Sequence, residues 1–485
     1  VRVRGVAIAL LVASALPLSA GESAEAAKVA AWVRALPPPS VESSWFGVLG
    51  AINPSLIGGA ADTIRSVGPR AFYNDAPRLQ QAVGTLQGRA TAYLPLLVAG
   101  GNSWYRDVQH VPWGLIEVAK GELRWELLDA AVAGAQNSGG RYVGTLMPYA
   151  GWELLAAGYP ASNDAECLRL FNEDFFYLAF DRRMDRYKDL DAWKKFVALA
   201  VERYDGDGLS DMPGLTIPIK YWQVHNEPEG ARCGLFRSDP AAFAELMRAT
   251  YETIHAACSD CIVLNGGAGI QLADDKRTPI PAGVTFWSDF AAAGGAPYVD
   301  VIAVHYNQGK DPDHGNIENF EYQIKRIRDF LGNKPVWVTE FGTLIGDTGG
   351  RLMGLPEAEA GAWFVRFYAA GLAAGATRFF SDSVAFVTFP ALTIQLPYYV
   401  NQLMTARLAG FTSAEKMATG QYRFRVGGSD VWVLWNGVPS SLTGSVVATD
   451  IYGNETTVDA KSLAPRETAP VIVRPVTARR RAAHH

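Results

Sequence analysis

The sequence predicts an α/β protein in which parallel strands are linked by helices and followed by a small antiparallel β-domain. Three observations predict it. From about Trp45 to Ala409, short apolar runs alternate with longer stretches of helical periodicity, the order expected of repeated strand–helix units. The strand candidates are apolar on both faces, as strands with helices packed outside them must be. After about Gly410 the pattern changes to short alternating runs, separated by turns such as Gly427-Gly428 and Gly453-Asn454.

At the N-terminus, Arg2 and Arg4 precede an apolar run from Val6 to Leu18 and a stretch of small residues that ends in Ala24-Glu25-Ala26. This is the layout of a secretory signal peptide, so residues 1–26 are expected to be removed and the protein to be secreted or periplasmic. An uncleaved anchor is the competing reading, although the run is shorter than the ~20 residues that span a bilayer. No later segment is apolar for long enough to span.

The clearest strand candidates are residues 141–148, 220–226, 261–266, 299–306, 335–341 and 377–382. Between them, Trp193, Phe196, Val197, Ala200, Val201 and Tyr204 fall on one face of a helix that starts near Asp189 and Asp191. Ser238-Asp239-Pro240 is a helix start, with Phe243, Leu246, Met247, Thr250 and Ile254 as its apolar stripe. Another helix, carrying Ile324, Ile327 and Phe330, stops at Gly332. Residues 50–103 are the least legible, and a first helix is placed there only loosely. Periodicity alone does not choose between an open sheet and a closed barrel. About eight units fit the span, which exceeds the ~250 residues of a typical barrel and requires long loops.

Beyond the catalytic-domain span of 27–409, Tyr422, Phe424 and Val426 alternate with Arg423 and Arg425. Residues 431–435, 446–451 and 470–473 follow as further strands, and the whole of 410–477 reads as a β-sandwich accessory domain. Residues 478–485 form a basic tail ending in His484-His485.

The chain has 485 residues, 49% hydrophobic and 19% charged, with a net charge of -5. That length accommodates a catalytic domain and an accessory one. Without a basic stretch before the extreme C-terminus, nothing in the charge favours nucleic acid as a partner. An uncharged or weakly charged substrate fits better.

Two segments carry the chemistry. Tyr221-Trp222-Gln223-Val224-His225-Asn226-Glu227-Pro228 is an apolar strand that ends in polar residues and is stopped by proline. Val336-Trp337-Val338-Thr339-Glu340-Phe341-Gly342 repeats the design with a second glutamate. A carboxylate between apolar residues is costly unless it is paired or working. The two glutamates are separated by about three strand–helix units, which puts them on strands four and seven of a barrel, facing each other across its C-terminal mouth. Glycoside hydrolysis requires such a pair, one carboxyl to protonate the leaving oxygen and one to meet the oxocarbenium-like centre.

Asn226-Glu227-Pro228 and Thr339-Glu340-Phe341-Gly342 resemble the acid/base and nucleophile motifs of clan A glycoside hydrolases, families 5 and 39 in particular. The resemblance extends to Arg106, to Trp113-Gly114-Leu115-Ile116-Glu117, to Lys120-Gly121, Trp125 and Leu128-Asp129, and to Val301–Tyr306. It covers roughly residues 100 to 475. It implies a (β/α)8 TIM barrel and a retaining glycosidase that needs no cofactor and takes a carbohydrate as its partner. By the same resemblance, Glu227 is the acid/base, Glu340 the nucleophile and Asn226 the donor to the sugar 2-hydroxyl. Arg106 would hold Glu340 ionised, while His305 and Tyr306 would sit beside it, one of them as a hydrogen-bond donor. Two departures stand out. The clan separates its sixth-strand His and Tyr by one residue, whereas His305 and Tyr306 are adjacent; and Phe379-Phe380-Ser381-Asp382 lacks the tryptophan that often ends strand eight.

Trp152 follows strand three and suits stacking on a sugar, or packing. Cys167 and Cys233 fall in loops on one rim, which favours a bridge between them, while Cys258 and Cys261 are spaced to close a small loop; four cysteines allow three connectivities. Asp205, Asp207 and Asp211 surround glycines in a turn that suits a structural Ca2+ or simply faces solvent. Two further readings fit the same residues: a catalytically inactive barrel that binds glycans at a cell surface, and a transglycosylase using the same glutamates. The sugar, its linkage and the endo or exo mode are not written in these motifs, nor is the oligomeric state.

Overall fold

The computed structural model describes residues 20–51, 60–106, 111–148, 150, 189–229, 239–269, 281–307, 317–342, 344–346 and 354–476. Trp152, Cys167, Cys233, the apolar run at 6–18 and the basic tail lie outside the described residues.

Eight parallel strands form the centre: β1 (Phe46–Leu49), β2 (Asn102–Arg106), β3 (Arg141–Met147), β4 (Tyr221–Val224), β5 (Ile262–Leu264), β6 (Ile302–Asn307), β7 (Val336–Gly342) and β8 (Ala376–Asp382). Hydrogen bonding runs in the order β5-β4-β3-β2-β1-β8-β7-β6. The remaining gap is bridged by the parallel pairs Leu264–Val301 and Ala268–Val304. The sheet therefore closes on itself, and the choice left open by periodicity is settled as a barrel.

A helix follows each strand: α1 (Ala76–Ala99), α2 (Glu126–Asn137), α3 (Leu190–Tyr204), α4 (Pro240–Ala257), α5 (Pro281–Ala292), α6 (Ile317–Leu331), α7 (Glu357–Ala373) and α8 (Leu396–Leu408). Their starts follow from local chemistry. Asp189 caps α3 by accepting from the amides of Asp191 and Ala192, and Asp239 caps α4 by accepting from Ala242, with Pro240 in its first turn. The apolar stripes expected on both helices are the faces they bury. Gly332, at φ 91°, ends α6 in the left-handed conformation that a glycine adopts without cost. The illegible region resolves into two short helices, Ala60–Val67 and Pro69–Asn74, before α1. Pro95 lies inside α1 and obscures its pattern.

The barrel is packed, not hollow, at its lower end. Trp104 of β2 and Trp337 of β7 meet edge to face at 5.3 Å, with Tyr221 of β4 against both. The Arg378 guanidinium stacks under the two indoles, 5.0 and 5.8 Å from their centroids. This plug closes the barrel interior from below and leaves its C-terminal rim open to receive a ligand.

The C-terminal strands β9 (Phe411–Ala418), β10 (Gln421–Val426), β11 (Ser429–Leu434), β12 (Ser445–Thr449), β13 (Glu455–Asp459) and β14 (Val471–Pro475) are antiparallel, in the order β9-β10-β11-β14-β12-β13. They form one continuous six-stranded sheet instead of the two hydrogen-bonded sheets of a sandwich. One face, with Tyr422, Phe424, Val431 and Val433, shares the main core with the barrel helices. On the other face, Trp432, Leu434, Val446 and Val473 are covered by Leu442 and Ala460 from the connecting loops.

Residues 20–36 run as a strap from the barrel to this sheet. Ser23 and Gly21 exchange backbone hydrogen bonds with Ile394, at 2.9 and 2.8 Å. Glu22 accepts from Arg34 and Tyr399, both at 2.5 Å, Glu25 accepts from Tyr452 at 2.6 Å, and Ala26 is fully buried.

Candidate active site

At the C-terminal rim the barrel brings Arg106, Asn226, Glu227, His305 and Glu340 together. Arg106 ends β2 with its side chain completely buried. One guanidinium nitrogen donates to Glu340 Oε2 at 3.1 Å and the other to Asn226 Oδ1 at 2.5 Å. Oxygens of Glu227 and Glu340 lie within 4.8 Å of each other. Glu340 is 20% exposed and Glu227 40%, so both are open to a ligand from above.

A register break aims Glu340. Trp337 pairs with Ala303 and Val338 with Val304, but the next pair is Glu340 with His305. Thr339 is thus the extra residue of a β-bulge, and Glu340 takes the inward position that strict alternation would give to Thr339. The Thr339 hydroxyl still serves the site: it lies 3.1 Å from His305 Nε2.

Of the adjacent His305 and Tyr306, His305 faces the mouth. Its Nδ1 lies 2.9 Å from Glu227 Oε1 and 3.7 Å from Glu340 Oε2, so its hydrogen bond goes to the expected acid/base and not to the expected nucleophile. Tyr306 corrects the expectation that both line the site. Its ring packs at 5.1 Å from Phe320 of α6 and 5.8 Å from Phe367 of α7, on the helix side of the barrel. Neighbours along a strand point to opposite faces, so one of the two had to leave the site.

Asn226 and Glu227 stand on a strained turn. His225 has φ 71° and Glu227 φ 47°, a left-handed backbone that non-glycine residues seldom adopt. Burial holds the His225 imidazole down to a pKa of about 3. It is therefore neutral, and its Nδ1 accepts the Asn226 amide at 2.7 Å.

Two functional features went unseen in the sequence. Glu229 is buried just beyond Glu227, and burial raises its acid to about 8. The second is the turn Gly266-Gly267-Ala268-Gly269 after β5, on which the Glu227 turn rests. The signal for both was present, as an acid two places after the catalytic candidate and a glycine cluster at a strand end.

Cys258 and Cys261 form a disulfide, closing the small loop that their spacing allowed. Oxygens of Asp205, Asp207 and Asp211 gather within 4.8 Å in the turn after α3, at the opposite end of the barrel from the glutamates. As an all-oxygen set they suit a hard cation such as Ca2+. They already accept the amides of Gly206, Asp207, Gly208 and Leu209. No described helix is long and apolar enough to cross a membrane.

Residues 209–351 match the family described as the glycosyl hydrolase catalytic core, a span that contains both glutamates. The fold is similar to a family 39 glycoside hydrolase from the gut symbiont Bacteroides cellulosilyticus WH2, with a TM-score of 0.50 and 15% identity over 80% of this chain and 78% of that one. A glucosidase from Croceicoccus marinus has a TM-score of 0.48 at 11% identity, over 90% of this chain and 96% of that one. A family 30 endoxylanase from Clostridium papyrosolvens C71 also has a TM-score of 0.48, at 12% identity over 91% and 98%. No curated protein matches the chain in sequence. The family match and the barrel agree with the resemblance to clan A glycoside hydrolases.

Proposed function

We propose that the protein is a retaining O-glycosidase acting on a β-linked glycoside or polysaccharide by double displacement. The observation that carries this reading is the approach of Glu227 and Glu340 oxygens to within 4.8 Å across the barrel mouth. Retaining enzymes hold their carboxyl groups ~5–5.5 Å apart, whereas inverting ones leave ~6.5–9.5 Å for a water.

Each residue then has a task. Glu340 attacks the anomeric carbon while Glu227 gives its proton to the departing glycosidic oxygen, leaving a glycosyl ester on Glu340. Glu227, now a carboxylate, takes a proton from water, whose oxygen displaces Glu340 and restores both groups. Arg106 places its positive charge on the Glu340 carboxylate and occupies the Asn226 carbonyl oxygen. The Asn226 NH2 group is thereby turned outward to donate to the sugar 2-hydroxyl, a contact that strengthens in the transition state. His305 holds one oxygen of Glu227, which leaves the other to carry the transferred proton.

The test is the anomeric configuration of the first product, followed by NMR during turnover of aryl β-glycosides. Retention is the expected result, and an inverted first product would overturn the mechanism. Glycan binding without turnover by the wild-type protein would favour the inactive barrel instead.

We also propose that the protein is exported, on the strength of its charged and apolar N-terminal pattern. Gly21 to Ala26 are seated in the fold through Ile394, Arg34, Tyr399 and Tyr452. This supports a leader that ends before Gly21, with those residues kept in the mature chain.

A further inference from the structure

The strained turn carrying Glu227 must be held by its surroundings, and most of what holds it comes from the turn after β5. The Glu227 amide donates to Gly266 O at 2.6 Å. Pro228 lies so close to Gly266 that a side chain there would meet its ring at 2.7 Å. His305 sits over Gly267, where an added Cβ would fall 2.0 Å from Nε2. The buried Gln323 of α6 donates to both Ala268 O and His305 O, at 2.7 and 2.8 Å, and so locks this turn to β6. The outer end of the seat is closed by Glu229, whose Oε1 accepts the Gly269 amide. Glu229 is only 8% exposed, and the indole N–H of the buried Trp287 lies beside its carboxyl.

We propose that Glu229 is a positioning residue for the acid/base Glu227, a carboxyl clamp that fastens the β4 turn to the β5 turn and so fixes where Glu227 delivers its proton. The inference rests on the reading of Glu227 as the general acid. A neutral clamp suits the place. With its acid raised to about 8 by burial, Glu229 adds no second negative charge beside Glu227 at neutral pH, and so does not oppose the ionisation that Glu227 undergoes in each cycle. A surface carboxylate in the same position would hold the turn by the same hydrogen bond but would bring that charge with it.

The experiment compares Glu229→Ala, Glu229→Asp and Glu229→Gln with wild type on aryl β-glycosides graded by leaving-group acidity. Departure of a poor leaving group needs the proton from Glu227, whereas an activated one such as dinitrophenolate leaves without it. A misplaced acid therefore penalises the poor leaving groups selectively. In Glu229→Ala, kcat/KM should fall at least about tenfold further for poor leaving groups than for activated ones, within the ~10²–10⁴-fold that general acid catalysis contributes. Glu229→Gln, neutral and still an acceptor, should stay close to wild type on both. If the alanine variant does not fold, Glu229→Asp, which draws the carboxyl back by one methylene, should give the same selective loss. An equal loss on all substrates would mean a merely structural role and overturn the proposal. So would no loss, or a glutamine variant as impaired as alanine. Glu227→Ala is the control. If it shows no leaving-group selectivity, the acid/base assignment fails, and the clamp with it.

Discussion

Glu340 faces His305 across the β6–β7 ladder only because Thr339 is displaced from register between them. Replacing Glu340 by glycine removes the proposed nucleophile and leaves a space on the inward side of the strand. Turnover is expected to fall by about 10⁴-fold or more. Added azide should then enter that space and restore activity on an activated aryl glycoside, giving a glycosyl azide of inverted configuration. Full activity in Glu340→Gly would remove this residue from the mechanism.

Arg106 joins Glu340 and Asn226 through two separate nitrogens. Lysine keeps the charge but has one nitrogen and no fork, so it cannot hold both partners. Arg106→Lys should lower kcat by roughly 10²- to 10³-fold, the range seen when one preorganised donor is lost. Its circular dichroism spectrum should remain that of wild type. A kcat unchanged by the substitution would show that the bridge contributes nothing to the chemistry.

Glu229 predicts a pH dependence of stability. Its acid is raised from the ordinary 4.5 to about 8 in the folded protein, chiefly by burial. Below about pH 4.5 the group is protonated whether folded or unfolded, and its favourable contribution is complete. As pH rises through about 8 the contribution is lost, because the unfolded chain ionises first. Glu229→Gln abolishes this titration. Denaturant unfolding across pH 4 to 9 should show the glutamine variant gaining on wild type by up to about 5 kcal/mol at the alkaline end. Parallel curves for the two proteins would contradict the burial of a neutral acid.

If the protein is exported as proposed, the intact mass of the mature form locates its first residue. A first residue no later than Gly21 is expected, since Glu22, Ser23 and Glu25 all have partners in the fold. A first residue of Ala27 would mean that these contacts are dispensable, and an unprocessed mass would refute the leader itself.

Much of this fold was legible because burial imposed it on the sequence. The stripes of α3 and α4 and the apolar runs of β3, β4 and β7 marked the strand–helix units without choosing between an open sheet and a barrel, and the spacing of two strand-end glutamates pointed to the barrel. What escaped was set by single-residue geometry. The Thr339 bulge is invisible to alternation, which would have pointed Glu340 toward the helices. The adjacent His305 and Tyr306 could not be sorted until strand direction was known. Pro95 broke the pattern of α1, and Glu229 looked like any acid near a turn until its burial was seen.

The sheet beyond Gly410 shares one apolar core with α7 and α8 through Tyr422, Phe424 and Val433, and the N-terminal strap ties into the same corner through Tyr399 and Tyr452. Barrel and sheet therefore share an interior along that face, beside the separate clusters each keeps for itself, and the shared part couples their unfolding. Damage to the inner face of the appended sheet should therefore be felt as lost stability in the barrel helices it packs on, and through them at the rim those helices support.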